Sequence, residues 1–105
     1  MKAKLTIAVF GLGLAASGNI HPGRVSLFEP VHGSAPAIAG QGIANPVGAI
    51  LTSAMMLEYL GHKKASQAIE KAVREAVVNN ETTRDLGGSL STEAAGDVIC
   101  KRLSA

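Results

Sequence analysis

Two glycine-rich segments contain the residues whose types and spacing could take part in chemistry. The first, Gly11-Leu12-Gly13-Leu14-Ala15-Ala16, follows an apolar run and matches the G-x-G-x-x-G/A pattern of dinucleotide-binding turns, with Glu29 roughly where the ribose-binding acid is expected. That pattern requires a helix directly after the glycines, because the pyrophosphate is bound by the N–H groups at the helix start. Gly18, Pro22 and Gly23 would interrupt such a helix. We therefore reject a Rossmann fold.

The second segment is the connection of residues 32–45, HGSAPAIAGQGIAN. Connections longer than about 12 residues with no secondary structure of their own are uncommon, and they are usually functional or disordered. This one combines a histidine and a serine with three glycines, which permit backbone conformations that other residues avoid. We take this loop as the candidate site.

The elements before and after the loop must position it. Lys4–Phe10 and Arg24–Val31 have the composition of short strands, and the first of them reads as buried on both faces. Asn45-Pro46 predicts a helix start, with Asn45 as the cap and Pro46 at the first helical position. The helix then covers Val47–Leu60 and is apolar nearly all round, which predicts burial on most of its sides.

Two further helices follow. Lys63–Asn79 is amphipathic, and Ser91-Thr92-Glu93 opens a last helix that runs to about Leu103. A turn-rich link over residues 82–88 lies between them. The predicted buried stripe of the first of these helices consists of Ala65, Ala68, Ile69, Ala72, Val73, Ala76 and Val77.

Composition limits the classes of function. The 105 residues are 47% hydrophobic and only 17% charged, which is unusual for a small free-standing domain and indicates part of a larger assembly. A net charge of +2 from scattered residues disfavours a nucleic-acid partner. The single cysteine, Cys100, excludes an internal disulfide and is expected to be buried. No apolar run is long enough to span a membrane, so we expect a cytoplasmic protein.

Residues 28–46 contain the motifs that most closely resemble a known protein family. The run Phe28-Glu29-Pro30-Val31-His32-Gly33-Ser34-Ala35-Pro36 and its continuation to Asn45-Pro46 closely resemble the β-decarboxylating dehydrogenases of the isocitrate/3-isopropylmalate type. Asp85-Leu86-Gly87-Gly88 has the family's order and spacing. The resemblance covers about residues 11–103 and is nearest to 3-isopropylmalate dehydrogenase, the enzyme of leucine biosynthesis. We therefore divide the chain into a leader of residues 1–10, which does not resemble the family, and a C-terminal cofactor-loop segment of residues 11–105. The resemblance implies an α/β fold with two short strands, a long cofactor loop and three helices, corresponding to the C-terminal part of the family's larger domain.

In that family the loop holds the adenosine half of NAD or NADP outside a Rossmann fold. His32 would offer a flat polar surface near the adenine, Ser34 and Ala35 a hydroxyl and main-chain groups near the ribose and phosphates, and Asn45 a main-chain contact to adenine. Asp85 would approach the same adenosine end from a second segment. The cofactor-binding residues implied by the resemblance are His32, Gly33, Ser34, Ala35, Pro36, Ala37, Asn45 and Asp85.

The chain departs from the family at one position of the loop. Ala37 stands where NAD-dependent members usually carry an aspartate that accepts hydrogen bonds from the ribose hydroxyls. The Lys-Tyr pair of typical NADP-dependent members is absent as well. The resemblance therefore implies NAD, with NADP also possible, and a weakened site.

The resemblance places the family's catalytic tyrosine and lysine, its substrate arginines and its Mg²⁺ or Mn²⁺ ligands upstream of this sequence. We therefore predict a fragment of an NAD(P)-dependent oxidative decarboxylase of a 2-hydroxy acid that carries the adenosine loop and is inactive alone. A second hypothesis is a non-catalytic oligomerisation module, in which the apolar helix of residues 47–60 is buried against another copy or a missing N-terminal half. An ordered loop favours the first hypothesis, and self-association favours the second.

Overall fold

The computed structural model describes residues 14–21 and 23–104. The described residues form an antiparallel hairpin followed by three helices, in the order β1 (Ala16–Asn19), β2 (Leu27–Pro30), α1 (Val47–Tyr59), α2 (Lys63–Val78) and α3 (Thr92–Ser104), with a short 3-10 helix at Arg84–Leu86 between α2 and α3. The α/β architecture with two short strands, a long loop and three helices is therefore confirmed. The predicted strand Lys4–Phe10, the proposed leader of residues 1–10 and the glycines of the rejected fingerprint lie outside the described residues.

The hairpin differs from the sequence prediction. β2 lies inside the predicted strand of residues 24–31, but β1 was not predicted, because four residues containing a glycine and two polar side chains carry little strand signal. The two strands pair with Gly18 opposite Phe28. A Cβ at residue 18 would lie 2.9 Å from the Phe28 ring, so the glycine makes room for the aromatic side chain.

Helix α1 begins one residue later than expected. Pro46 occupies the N-cap position, and the Val47 N–H donates to Asn45 Oδ1 at 2.9 Å, so Asn45 still satisfies one of the free N–H groups of the first turn. The helix packs on the hairpin and on α2. Met56 and Tyr59 in its last turn, and Leu60 directly after it, are exposed. The prediction that the helix is buried on most of its sides is therefore wrong for this end.

The core lies where α1, α2 and α3 meet. Its buried members are Leu14, Val47, Ala72, Val73, Ala76 and Ile99. Three members of the predicted stripe of α2, Ala65, Ala68 and Val77, are instead exposed, and Ser66 is buried. The prediction that Cys100 is buried is also wrong, because α3 turns Ala95 and Ile99 to the core and the next residue is rotated by about 100°.

Within the part of the chain that the structure describes, none of the helices has both the length and the apolar character needed to cross a membrane.

Candidate functional site

The loop of residues 31–46 leads directly from β2 into α1 and has a defined conformation. Its middle is a series of tight turns, in which the Ala35 carbonyl accepts from the Ile38 N–H at 3.1 Å and the Ile38 carbonyl accepts from the Gln41 N–H at 3.2 Å. Gly40 and Gly42 have φ values of +81° and +67°, which glycine adopts without strain. These turns allow the chain to reverse over a short distance.

The first half of the loop, residues 32–37, is exposed and offers hydrogen-bond donors. No hydrogen bond between described residues uses the main-chain N–H groups of Gly33, Ser34, Ala35 or Ala37. At Gly33 an added Cβ would have no atom within 4 Å, so the backbone there faces open space. Unpaired N–H groups beside a hydroxyl are suited to phosphate and ribose oxygens, and this donor set fits a dinucleotide.

Two residues of this half have constrained local geometry. Ala35 has a φ of 44°, in the left-handed region that costs a residue with a side chain of order 1 kcal/mol. His32 contacts its own neighbour, with Nδ1 at 2.9 Å from the Gly33 carbonyl oxygen. Such local strain is often found at binding sites.

The second half of the loop brings two predicted site residues together. Asn45 Nδ2 donates to Asp85 Oδ2 at 3.0 Å, although 40 residues separate them in sequence. Asp85 lies in the 3-10 helix, and its other carboxylate oxygen, Oδ1, accepts from the hydroxyl of the buried Thr83. The hydrogen bonds of the described residues do not join either Asn45 or Asp85 to residues 32–37.

Helix α3 holds the same half of the loop at a second point. The Thr92 N–H donates to the Gly42 carbonyl at 2.9 Å, and the Thr92 hydroxyl donates to the Ala44 carbonyl at 2.5 Å. Residues 42–45 are therefore attached to the segment of residues 83–92. Residues 32–37 have only local contacts among the described hydrogen bonds.

Sequence reasoning did not identify Thr83, Thr92 or Gly88 as part of this arrangement. Gly88 allows the turn to close, because a Cβ there would lie 1.9 Å from the Thr82 carbonyl oxygen. The Thr-x-Asp spacing of residues 83–85 is a local signal for a hydroxyl-to-carboxylate contact. Thr92 was recognised only as a helix-opening residue, and nothing in its neighbourhood indicates a contact with residues 42–44.

The described residues do not provide a metal centre. Among residues 14–21 and 23–104, no three His, Cys, Asp or Glu side chains lie together as metal ligands. We therefore assign none of them to a metal ion.

Comparisons with known proteins agree on one family. Residues 4–99 match the family described as isocitrate/isopropylmalate dehydrogenase. The isocitrate/homoisocitrate dehydrogenase of Thermus thermophilus is 55% identical over 95 residues, which are 90% of this chain and 28% of that protein. The 3-isopropylmalate dehydrogenase of Anaeromyxobacter dehalogenans is 48% identical over 94 residues, which are 89% of this chain and 27% of that protein.

Solved structures show the same likeness in three dimensions. The β-decarboxylating dehydrogenase of Thermococcus kodakarensis, in its apo form, superposes with a TM-score of 0.81 at 45% identity. The match covers 98% of this chain and 31% of that protein. This chain thus spans between a quarter and a third of the length of the relatives that it matches.

Proposed function

The chain belongs to the isocitrate/isopropylmalate dehydrogenase family, and from this premise we propose that its loop of residues 32–45 binds the adenosine half of NAD or NADP. The whole activity would be the cytoplasmic oxidative decarboxylation of a 2-hydroxy acid of the isopropylmalate or isocitrate class. In the isopropylmalate case, this activity would belong to leucine biosynthesis.

The observation that carries this proposal is the hydrogen bond between Asn45 and Asp85. These two residues were expected at the same end of the ligand on the basis of the family resemblance, and they come from segments 40 residues apart. Their contact supports a binding surface made by the loop and the 3-10 helix together. The unpaired N–H groups of residues 33–37 support the same proposal.

Each part of the loop has a proposed task. The N–H groups of Gly33, Ser34 and Ala35 donate to ribose or phosphate oxygens, and the His32 ring packs beside the adenine. Pro36 and Ala37 form the wall beside the ribose, where an alanine leaves the ribose hydroxyls without a carboxylate partner. Asn45 contacts the adenine through its main chain, and Asp85 supports it.

Bound NAD or NADP would supply the hydride acceptor for oxidation of the carbon that bears the substrate hydroxyl. This chain's residues would hold the opposite end of the cofactor, and we assign no catalytic role to any of them. We propose that the groups acting on the substrate and on Mg²⁺ or Mn²⁺ belong to the part of the relatives' length that this chain does not span.

Calorimetric titration with NAD, NADP, ADP and nicotinamide mononucleotide tests the proposal. ADP and both dinucleotides should bind, and nicotinamide mononucleotide should not, because it lacks the adenosine half. Gly33→Val places a side chain in the open space over the loop and should abolish ADP binding without loss of fold. Gly96→Ala on α3, where an added Cβ also meets no atom within 4 Å, is the matched control. Equal binding of ADP and nicotinamide mononucleotide, or full ADP binding by Gly33→Val, would refute the proposal.

One set of observations favours a second candidate function, that of an interaction module. Apolar side chains are exposed at the end of α1 and in the hairpin that packs against α1, where Leu60 is 59% and Val25 76% exposed. Large apolar surfaces of this kind usually mark an interface. In this alternative the surface is buried by a second copy or by a missing N-terminal half, and sedimentation of the pure chain separates a monomer from a dimer.

A further inference from the structure

Both polar atoms of the Asn45 side chain make hydrogen bonds inside the protein. Its Oδ1 accepts from the Val47 N–H at 2.9 Å, and its Nδ2 donates to Asp85 Oδ2 at 3.0 Å. The main-chain N–H and C=O of Asn45 make no hydrogen bond with any other described residue. A ligand at this point would therefore meet one main-chain donor and one main-chain acceptor. Their directions depend on how the Asn45 side chain is held and on the Thr92 hydroxyl, which donates to the Ala44 carbonyl of the same peptide group.

Thr83 holds the Asp85 side chain, which in turn accepts the hydrogen bond from Asn45. It is 1% exposed, so it cannot touch a ligand itself, and its hydroxyl donates to Asp85 Oδ1. Its own carbonyl accepts from the N–H groups of Leu86 and Gly88, at 3.1 Å each, which fixes the backbone from which the hydroxyl projects. Because Oδ1 is held in this way, Oδ2 is turned toward Asn45.

We propose that Thr83 is a positioning residue of the dinucleotide site, acting through Asp85 on the main chain of Asn45 and thereby on the choice of base. This inference rests on the proposed function. An adjacent donor and acceptor match adenine, which presents an acceptor at N1 and a donor at its amino group. Hypoxanthine presents a donor and an acceptor in the reverse order, so the same main-chain pair rejects it.

Thr83→Val tests this role, since valine keeps the volume of threonine and removes only the hydroxyl. Loss of the hydroxyl frees the Asp85 carboxylate to rotate and leaves Asn45 Nδ2 without a fixed acceptor. We expect about tenfold weaker ADP binding, equivalent to ~1.4 kcal/mol, while binding of inosine diphosphate changes little. The ratio of the two affinities therefore falls, which a general loss of stability in a chain that is still folded would not produce.

Three further variants make the test specific. Thr83→Ser restores the hydroxyl and should restore the ADP preference. Thr52→Val is the matched control, because Thr52 is also buried and its hydroxyl bonds only to the Gly48 carbonyl of its own helix. If Thr83→Val does not fold, Asp85→Ala removes the exposed end of the same connection and should reduce the preference for ADP equally.

The outcomes separate the two proposals. A folded wild-type chain that binds no ADP overturns the proposed function, whereas ADP binding that Thr83→Val leaves unchanged overturns only the assignment of Thr83. Hydrogen exchange at the Val47 amide decides the assignment independently of any ligand, because this N–H donates to Asn45. Faster exchange in Thr83→Val supports it, and an unchanged rate in the folded variant contradicts it.

Discussion

At the residue scale, we expect Ala37 to determine how strongly the proposed site can hold a ribose. It is exposed, and its carbonyl accepts from Gln41 Nε2 at 3.1 Å, so the turn is held by a group that a change of side chain does not remove. A carboxylate could therefore be introduced at this position without loss of the turn.

We expect Ala37→Asp to strengthen NAD binding by roughly tenfold or more, because a hydrogen bond to a charged acceptor contributes about 1.5–3 kcal/mol. Binding of NADP should weaken, since its 2′-phosphate would meet a negative charge. Titration of both dinucleotides measures this change of preference. Ala39→Asp adds the same charge to an exposed position of the same turn and is the control. An equal gain in both variants would contradict a specific ribose contact at residue 37.

Two glycines should respond in opposite ways to alanine. Gly88→Ala forces a methyl group against the Thr82 carbonyl, 1.9 Å away, and should cost about 1–3 kcal/mol of unfolding free energy. Gly96→Ala on α3 meets no atom within 4 Å and should add about 0.5–1 kcal/mol, because alanine loses less backbone entropy in a helix. Urea denaturation measures both changes in unfolding free energy, provided that the m-value is the same as in the wild type. Gly88→Ala should weaken ADP binding as well, since the displaced turn carries Asp85.

At the scale of elements, Arg102 joins α3 to α2 and to the segment after it. Its Nε donates to Glu81 Oε1 at 3.0 Å, and its NH1 donates to Glu75 Oε2 at 3.3 Å. The hydrogen bond with Glu81 is the main reason that the pKa of Arg102 is raised above its ordinary value. Because its pKa is raised, Arg102 stays charged throughout the neutral range. The stability that this raised pKa contributes is fully present at any pH below the pKa of arginine in the unfolded chain.

Arg102→Met should lower the melting temperature, because Glu81 loses its ion-pair partner and Glu75 keeps only the more distant Lys71, at 3.9 Å. The difference in melting temperature between this variant and the wild type should be the same at about pH 7 and about pH 9, because Arg102 does not lose its proton between them. It should shrink in concentrated salt, since these side chains are partly exposed and their attraction is screened. Arg74→Met on α2, where no ion pair between described residues involves Arg74, is the control. A difference unaffected by salt would point to lost packing of the arginine stem.

The elements were not equally predictable from sequence. The three helices were predicted to within one or two residues, because caps and a 3.6-residue period are local properties. The hairpin was only half predicted. Its strands are four residues long, and β1 is stabilised by pairing with β2 and by packing on α1, neither of which is visible in the residues of β1 alone.

At the scale of the whole molecule, the chain buries little and exposes much apolar surface. Among residues 14–21 and 23–104, the largest side chains with less than 2% exposure are Thr83 and Ser66, and neither is apolar. Met56 and Tyr59 in the last turn of α1 and the following Leu60 are exposed, and the Tyr59 and Phe28 ring centroids lie 5.6 Å apart. This distribution agrees with a chain that spans less than a third of its relatives' length.

We expect the pure chain to self-associate at micromolar concentration through this surface, and Leu60→Lys to shift it toward the monomer by removing apolar area and adding repulsion between like charges. Sedimentation velocity over a range of concentrations measures the shift. Gln67→Lys adds the same charge at an exposed position of α2 and should leave the association unchanged. A wild-type chain that stays monomeric would argue against the interaction module.

The family, the three helices and the loop that holds most of the candidate residues could be predicted from the sequence, since they depend on contiguous motifs and local periodicity. Only the tertiary structure decided that Asn45 meets Asp85, that Thr83 and Thr92 hold this half of the site, and that Cys100 faces outward. The physical reason is distance along the chain. A hydrogen bond between residues 40 positions apart exists because α1, α2 and the turn after them bring its partners together, and no local pattern around either residue contains that information.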